Sequence, residues 1–193
     1  MKQEWLKLIV YVIFLFLFFT HKTEANSQVL IPEGKFHMGT EKGTQAERPV
    51  HSIWLDAFFL DRFEITNKDF EKLNPSFQRS QASSCDDCPA TRVTWEEAKS
   101  YCQRLGKRLP TEAEWEYSCK AGTATYYYYS NQKHKRNNHA NLAHNEFKER
   151  KPNNYKWGGG KSDGYVFTAP VGTYSSNAFG LHDMHGNVFE WCN

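Results

Sequence analysis

The stretch VTWEEAKSYCQRLGKRLPTEAEWEYSCKAG, residues 93–122, decides how the chain folds. It holds two helix-start signals. Thr94-x-x-Glu97 and Thr111-x-x-Glu114 are each a capping box, in which threonine and glutamate each satisfy an orphan helix N–H near the other residue. After the first box Ala98, Tyr101, Cys102 and Leu105 recur at helical spacing, which predicts one buried face, and Gly106 supplies the stop. The second helix begins after Pro110 and runs through Trp115 and Tyr117 to Gly122.

Upstream the pattern changes from helical to alternating. IPEGKFHMG, residues 31–39, suits a short strand, and VHSIWLDAFFLDRF, residues 50–63, is a longer β-like stretch. Thr66 then caps a short helix, TNKDFEKL, that ends at Asn74-Pro75, and residues 76–87 read as a polar loop. Downstream of Gly122 regular structure gives out. An aromatic run (126–129), a basic loop (133–136) and a glycine cluster (158–160) predict long ordered loops. Loops of such length need something to tie them down, such as disulfides or metal ions.

Composition narrows the function classes. Across 193 residues Lys+Arg is 24 and Asp+Glu is 22, a net charge of +2 that gives no electrostatic argument for nucleic acid. Aromatic residues make up 16%, enough apolar area for a real core. At the N-terminus Lys2 and Lys7 precede an apolar run over 8–19, the length of a signal-peptide core and short for a membrane span. Thr23-Glu24-Ala25 offers a cleavage site, so 1–25 is expected to be a signal peptide and 26–193 the exported domain, periplasmic or extracellular. The alternative is an uncleaved N-terminal anchor; after cleavage no stable membrane insertion is expected.

Export favours paired cysteines, yet there are five: Cys85, Cys88, Cys102, Cys119 and Cys192. Cys85-x-x-Cys88 is a weak zinc or redox signal with no second pair behind it, and a local disulfide is the favoured reading. Other motifs fail. Gly160-Lys161-Ser162 lacks the glycine a phosphate loop needs, since position 155 is Tyr155. Neither H-E-x-x-H nor G-x-S-x-G occurs. His182 and His185 lie in a loop-like segment, where a solvated or hydrogen-bonded role is expected. Asn141, Asp163, Asp183 and Glu190 remain as hard oxygen donors among turn residues, the chemistry Ca²⁺ takes.

Several segments, in order, resemble the formylglycine-generating enzyme (sulfatase-modifying factor) family: FHMG from Phe36, ERPVH from Glu47, DRFEITNKDF from Asp61, the 93–122 stretch, and APVGTYSSNAFGLHDMHGNVFEWC from Ala169. The resemblance implies an irregular, loop-rich α+β fold of the C-type-lectin type with few short helices and strands. Its founding members oxidise a sulfatase cysteine to formylglycine with O₂ and a copper ion held by two thiolates, which suit soft Cu(I). It also implies two structural calcium sites. The first would use Asn141 and Asp163 with the carbonyls of Leu142 and Tyr165. The second would use Asp183 and Glu190 with the carbonyls of Gly186 and Val188. The implied partner is a sulfatase or another exported protein.

The resemblance also implies what this chain lacks. The family domain continues past a motif like GNVFEWC into a glycine-rich strand and the catalytic cysteine pair. None of the five cysteines matches that pair, so no catalytic residue is expected in this chain, which reads as C-terminally incomplete. Cys102 and Cys119 match positions that pair, in some members, with cysteines of that further segment. The expectation is therefore a formylglycine-generating-type domain inactive by itself. The alternative is a non-catalytic secreted binding module on the same scaffold. A sulfoxide-synthase relationship would need a histidine-rich iron motif, and none is seen.

Overall fold

The computed structural model describes residues 28–129, 139–142 and 164–193. The leader, the basic loop over 133–136, the glycine cluster over 158–160 and Asp163 lie outside the described residues. Four strands come first: β1 (Gln28–Ile31), β2 (Gly34–Met38), β3 (His51–Leu55) and β4 (Phe58–Asp61). Three helices follow: α1 (Asn67–Leu73), α2 (Trp95–Arg104) and α3 (Glu112–Lys120). The rest is turns and loops held by side chains, a loop-rich α+β fold.

The strands form one long hairpin with a break in it. β2 pairs antiparallel with β3, and β1 with β4, in register Ile31↔Phe58 and Gly34↔Leu55. The break falls at Pro32-Glu33 opposite Asp56-Ala57. Proline has no N–H to give to a ladder, so the ribbon bends there and becomes two small sheets. The expected continuous β-stretch over 50–63 is thus split in two.

One face of the ribbon is the core. Ile31 and Leu181 are fully buried beside Tyr117, Cys119 and Met184, with Val29, Phe36, Leu55, Phe58 and Leu60 packed against them. Each such side chain, once fully buried, contributes about 1.5–3 kcal/mol. Gly34 lets α3 come close: a Cβ there would stand 2.5 Å from the Tyr117 hydroxyl. The opposite face carries the cross-strand pair Leu30 and Phe59, both exposed.

Helix starts match their sequence signals. Thr66, Thr94 and Thr111 each accept the N–H of the third residue on, and the Glu97 and Glu114 carboxylates return the bond to complete two boxes. α2 is capped by Leu105, before Gly106 at φ 69°, and α3 by Ala121, which is itself left-handed. The expected buried face of α2 is only partly buried: Tyr101 is inside, but Leu105 is exposed. The C-terminal loop clasps both helix starts. The Trp95 indole donates to the Cys192 carbonyl, the Trp191 indole to Val93, and the Asn193 N–H to Pro110.

Candidate metal centre

The second predicted ligand set lies on the loop after Leu181, and this loop is shaped by local chemistry. Asp183, Gly186 and Asn187 all hold positive φ, at 56°, 90° and 56°. Asp and Asn tolerate this region better than other side chains, and glycine adopts it freely. At Gly186 a Cβ would sit 2.1 Å from the Asn141 carbonyl oxygen, so only glycine fits.

Asn187 is the hub. Its amide nitrogen donates to Glu64 Oε2 at 2.7 Å and to the Ala169 carbonyl at 3.3 Å. Its side-chain oxygen accepts from Ala169 N at 2.9 Å and from Asn141 Nδ2 at 3.1 Å. Its own N–H donates to the Asn141 carbonyl at 2.9 Å. Asn141, of the first predicted set, is thereby joined to the second.

Three acids gather here. Asp183 is buried and accepts the Gly172 N–H through Oδ2 at 2.7 Å, while its Oδ1 is buried without a partner. Glu64, from the segment after β4, also leaves Oε1 buried with no hydrogen bond of good geometry, the nearby Val188 N–H being the least of the influences on its carboxyl. Glu190 accepts from the Trp115 indole at 3.0 Å. Among the described residues no salt bridge reaches any of the three. Desolvation first, then the charges of Glu190 and Asp183, push the Glu64 carboxyl up to about 9. Desolvation raises Asp183 too. Glu190 is raised to about 7 by desolvation and then by Asp183, but as a residue it is exposed, so its shift weighs less than that of Glu64.

Buried carboxylate oxygens without partners are costly unless neutralised. A divalent cation bound by hard oxygens meets that need. Among the described residues no three acidic, histidine or cysteine side chains converge as a ready cage. An ion here would therefore depend on main-chain oxygens as well, for which Gly186 and Val188 are the expected donors. Of the first set, Asn141 is buried, Leu142 and Tyr165 are half-buried, and Asp163 lies outside the described residues.

Sequence reasoning missed Glu64 and Asn187. Glu64 lies three residues past the end of β4, across a bend at 62–63, so the strand's period of two gave no signal for it. Asn187 had none either, because its role is five hydrogen bonds to segments distant in sequence.

The cysteines are placed as follows. Cys85 and Cys88 form a disulfide. Their loop closes over the start of α1, whose Asn67 and Lys68 N–H groups donate to the Cys88 and Asp86 carbonyls. Cys102, Cys119 and Cys192 are free. Cys119 donates to the Met184 carbonyl at 3.3 Å, and burial pushes its thiol up to about 12. His185, beside it, is stacked on Tyr128 and lowered to about 4 by burial. His182 bonds the Tyr174 carbonyl at 2.7 Å. Both histidines are hydrogen-bonded side chains, as expected.

Residues 17–193 match the family model described as "Sulfatase-modifying factor enzyme 1-like domain". The chain is 28% identical to the formylglycine-generating enzyme of Bos taurus over 84% of its own length, and spans 56% of that protein. It is also 28% identical to the inactive C-alpha-formylglycine-generating enzyme 2 of Bos taurus, over 86% of this chain and 69% of that one. Among solved structures, PvdO from Pseudomonas aeruginosa superposes with a TM-score of 0.60 at 29% identity, covering 86% of this chain and 69% of PvdO.

Proposed function

The chain belongs to the sulfatase-modifying factor enzyme 1-like family, and on that footing we propose that it is the calcium-binding scaffold of an exported formylglycine-generating-type protein. The cation reading is carried by one observation: Glu64 Oε1 and Asp183 Oδ1 are buried acceptors with no hydrogen bond of good geometry, within an acidic set that no salt bridge reaches among the described residues. Asp183 and Glu190 would hold one Ca²⁺ with the Gly186 and Val188 carbonyls, and Glu64 would add its charge. Asn141 and Asp163, with the Leu142 and Tyr165 carbonyls, would hold a second. Bound calcium supplies the positive charge that lets these acids stay ionised at neutral pH. The chain's own part is to fix the loop through Asn187 so that the oxygens face inward.

No copper is assigned to the cysteines of this chain. Cys85 and Cys88 are spent in a disulfide, and burial pushes the free thiols of Cys102, Cys119 and Cys192 up, away from the thiolate that copper takes. No oxidation step is assigned to any described residue. In this reading the 193-residue chain does not convert a sulfatase cysteine by itself, and the family's substrate remains its proposed partner. A second reading is a non-catalytic binding module: the chain is as similar to a relative named inactive as to the named enzyme, 28% in each case, so identity does not separate the two readings. Export rests on the leader sequence. Among the described residues no helix is long and apolar enough to cross a membrane.

The experiment is thermal unfolding of the full chain with calcium and with a chelator. A ligand bound only by the folded state stabilises it, so chelation should lower Tm and calcium restore it. An unchanged Tm would remove the calcium reading. pH gives a second check. The Glu64 pKa is raised from 4.5 to about 9, so in calcium-free buffer the folded chain keeps a proton that the unfolded chain releases. Stability should then fall as pH rises between those values, and Glu64→Gln should flatten that fall. Incubating the chain with a sulfatase-derived cysteine peptide, copper and O₂ should give no aldehyde by mass spectrometry. An aldehyde product would overturn the inactive reading.

A further inference from the structure

The Cys85–Cys88 disulfide has no part in the cation site, yet its ring is bonded to the segments that build that site. The two residues inside the ring turn their carbonyls to different elements. The Asp86 carbonyl accepts the Lys68 N–H of α1 at 3.2 Å, and the Asp87 carbonyl accepts the Val171 N–H at 2.9 Å. Just before the ring, the Ala82 carbonyl accepts the Thr168 hydroxyl at 3.0 Å. The other side of the 168–172 segment serves the acidic set. Gly172 N–H is the donor to Asp183 Oδ2, and Ala169 holds the Asn187 side chain through both its N–H and its carbonyl. One short segment therefore hangs on the disulfide loop and supplies the site's donors.

The S–S bond is the firmest constraint on the ring. Asp86 and Asp87 also pair with Arg79 and Lys68, but both aspartates are exposed, and exposed bridges hold weakly. The base of the loop is seated differently. Asn67 is fully buried and donates its side-chain amide to the Ser83 and Cys85 carbonyls, bonds that do not need the disulfide. Opening the ring thus frees the carbonyls at its tip and leaves the loop anchored.

The two cysteines differ in access: Cys85 is exposed and Cys88 is buried. Exposed disulfides are the labile, regulatory kind. The attack falls on the Cys85 sulfur. A dithiol's thiolate bonds to it, the S–S bond breaks, and Cys88 leaves as a thiolate that takes up a proton. The second thiol of the reductant then displaces Cys85, which is protonated in turn. Two electrons and two protons pass from the dithiol to the protein, and the reductant ends as a disulfide.

We propose that the Cys85–Cys88 disulfide is a redox switch: closed, it pins the 168–172 segment and holds its donors on Asp183 and Asn187, and opened by a dithiol it lets them go. Its effect on calcium affinity rests on the cation reading, whereas its effect on the segment does not.

The test compares the full 193-residue chain before and after dithiothreitol, with opening verified by alkylation of Cys85 and Cys88. Cys102, Cys119 and Cys192 are already free, so the reductant changes only this pair. Amide exchange at Val171 and Gly172 should quicken about tenfold or more on opening and recover on reoxidation, while the α3 amides of Tyr117 and Cys119 keep their rates. A Cys85→Ser/Cys88→Ser chain should show the fast rates with or without dithiothreitol. Three results overturn the proposal: a disulfide that resists dithiothreitol in the folded chain, unchanged Val171 and Gly172 rates once it is open, or α3 amides that quicken equally, which would make the bond a staple of the whole fold. Calcium titration is the second arm, in which the reduced chain should bind several-fold more weakly. Equal affinity in both forms overturns the switch. If the oxidised chain binds no calcium at all, the cation reading falls and amide exchange alone decides.

Discussion

The helical segment over 93–122 and the loop over 169–191 lie against each other but are built differently. In the helical segment order is local: each threonine cap and its glutamate sit three residues apart, and the backbone satisfies itself within a few positions. The loop has local turns at 170–173 and 177–181, but the bonds that fix it to the rest of the fold are long-range. Asn187 reaches back 46 residues to Asn141 and 123 to Glu64, and Asn177 reaches 59 to the Ser118 carbonyl. Local order degrades one piece at a time, whereas long-range order fails together when its hub is removed.

The sharpest way to break the comparison is at the hub. Asn187→Ala removes its side-chain bonds to Glu64, Ala169 and Asn141 and leaves buried polar groups unpaired. At ~1–3 kcal/mol for each group so orphaned, the expected loss is about 3–5 kcal/mol in urea unfolding. A loss below 1 kcal/mol would mean that the loop does not depend on this residue. Gly186→Ala should follow, at about 2–3 kcal/mol, because its Cβ would collide with the Asn141 carbonyl and its φ of 90° disfavours any side chain. The same variant should weaken calcium affinity measured by titration calorimetry.

The helical segment should give smaller and additive losses. Thr94→Ala and Thr111→Ala each remove one cap, worth about 1 kcal/mol, and the double variant should lose the sum within ~0.5 kcal/mol. A much larger double loss would show that the two helix starts are coupled through the clasp at 191–193. The smallest effect is expected at Phe189→Ser in the 193-residue chain, within about 0.5 kcal/mol, since the ring is fully exposed.

Legibility followed the same divide. Both capping boxes, the α1 cap and the left-handed glycine after α2 were readable because their causes lie within a turn of the residue concerned. Two features were misjudged locally. The β-stretch over 50–63 breaks at Asp56-Ala57 because Pro32, across the ribbon, cannot donate to it, which is not visible in 50–63 itself. Leu105 has helical phase for burial yet stays exposed, because phase says which way a side chain points and not what meets it. At the site, Asp183 and Glu190 were legible as hard oxygen donors among turn residues and were grouped into one ligand set by the family resemblance, whereas Glu64 and Asn187 emerged only when distant segments were brought together.

By itself the sequence determined the helices, their caps, the alternation that makes the ribbon, and the family, since these rest on spacing within short windows and on long distinctive motifs. Only the tertiary structure decided that Glu64 joins Asp183 and Glu190 in one under-neutralised acidic set, and that β4, α2 and the loop over 188–191 border one cavity. The reason is physical. Hydrogen-bonded turns depend on neighbours along the chain, but desolvation, charge repulsion and cavities depend on which residues share a volume, and a one-dimensional pattern does not specify that.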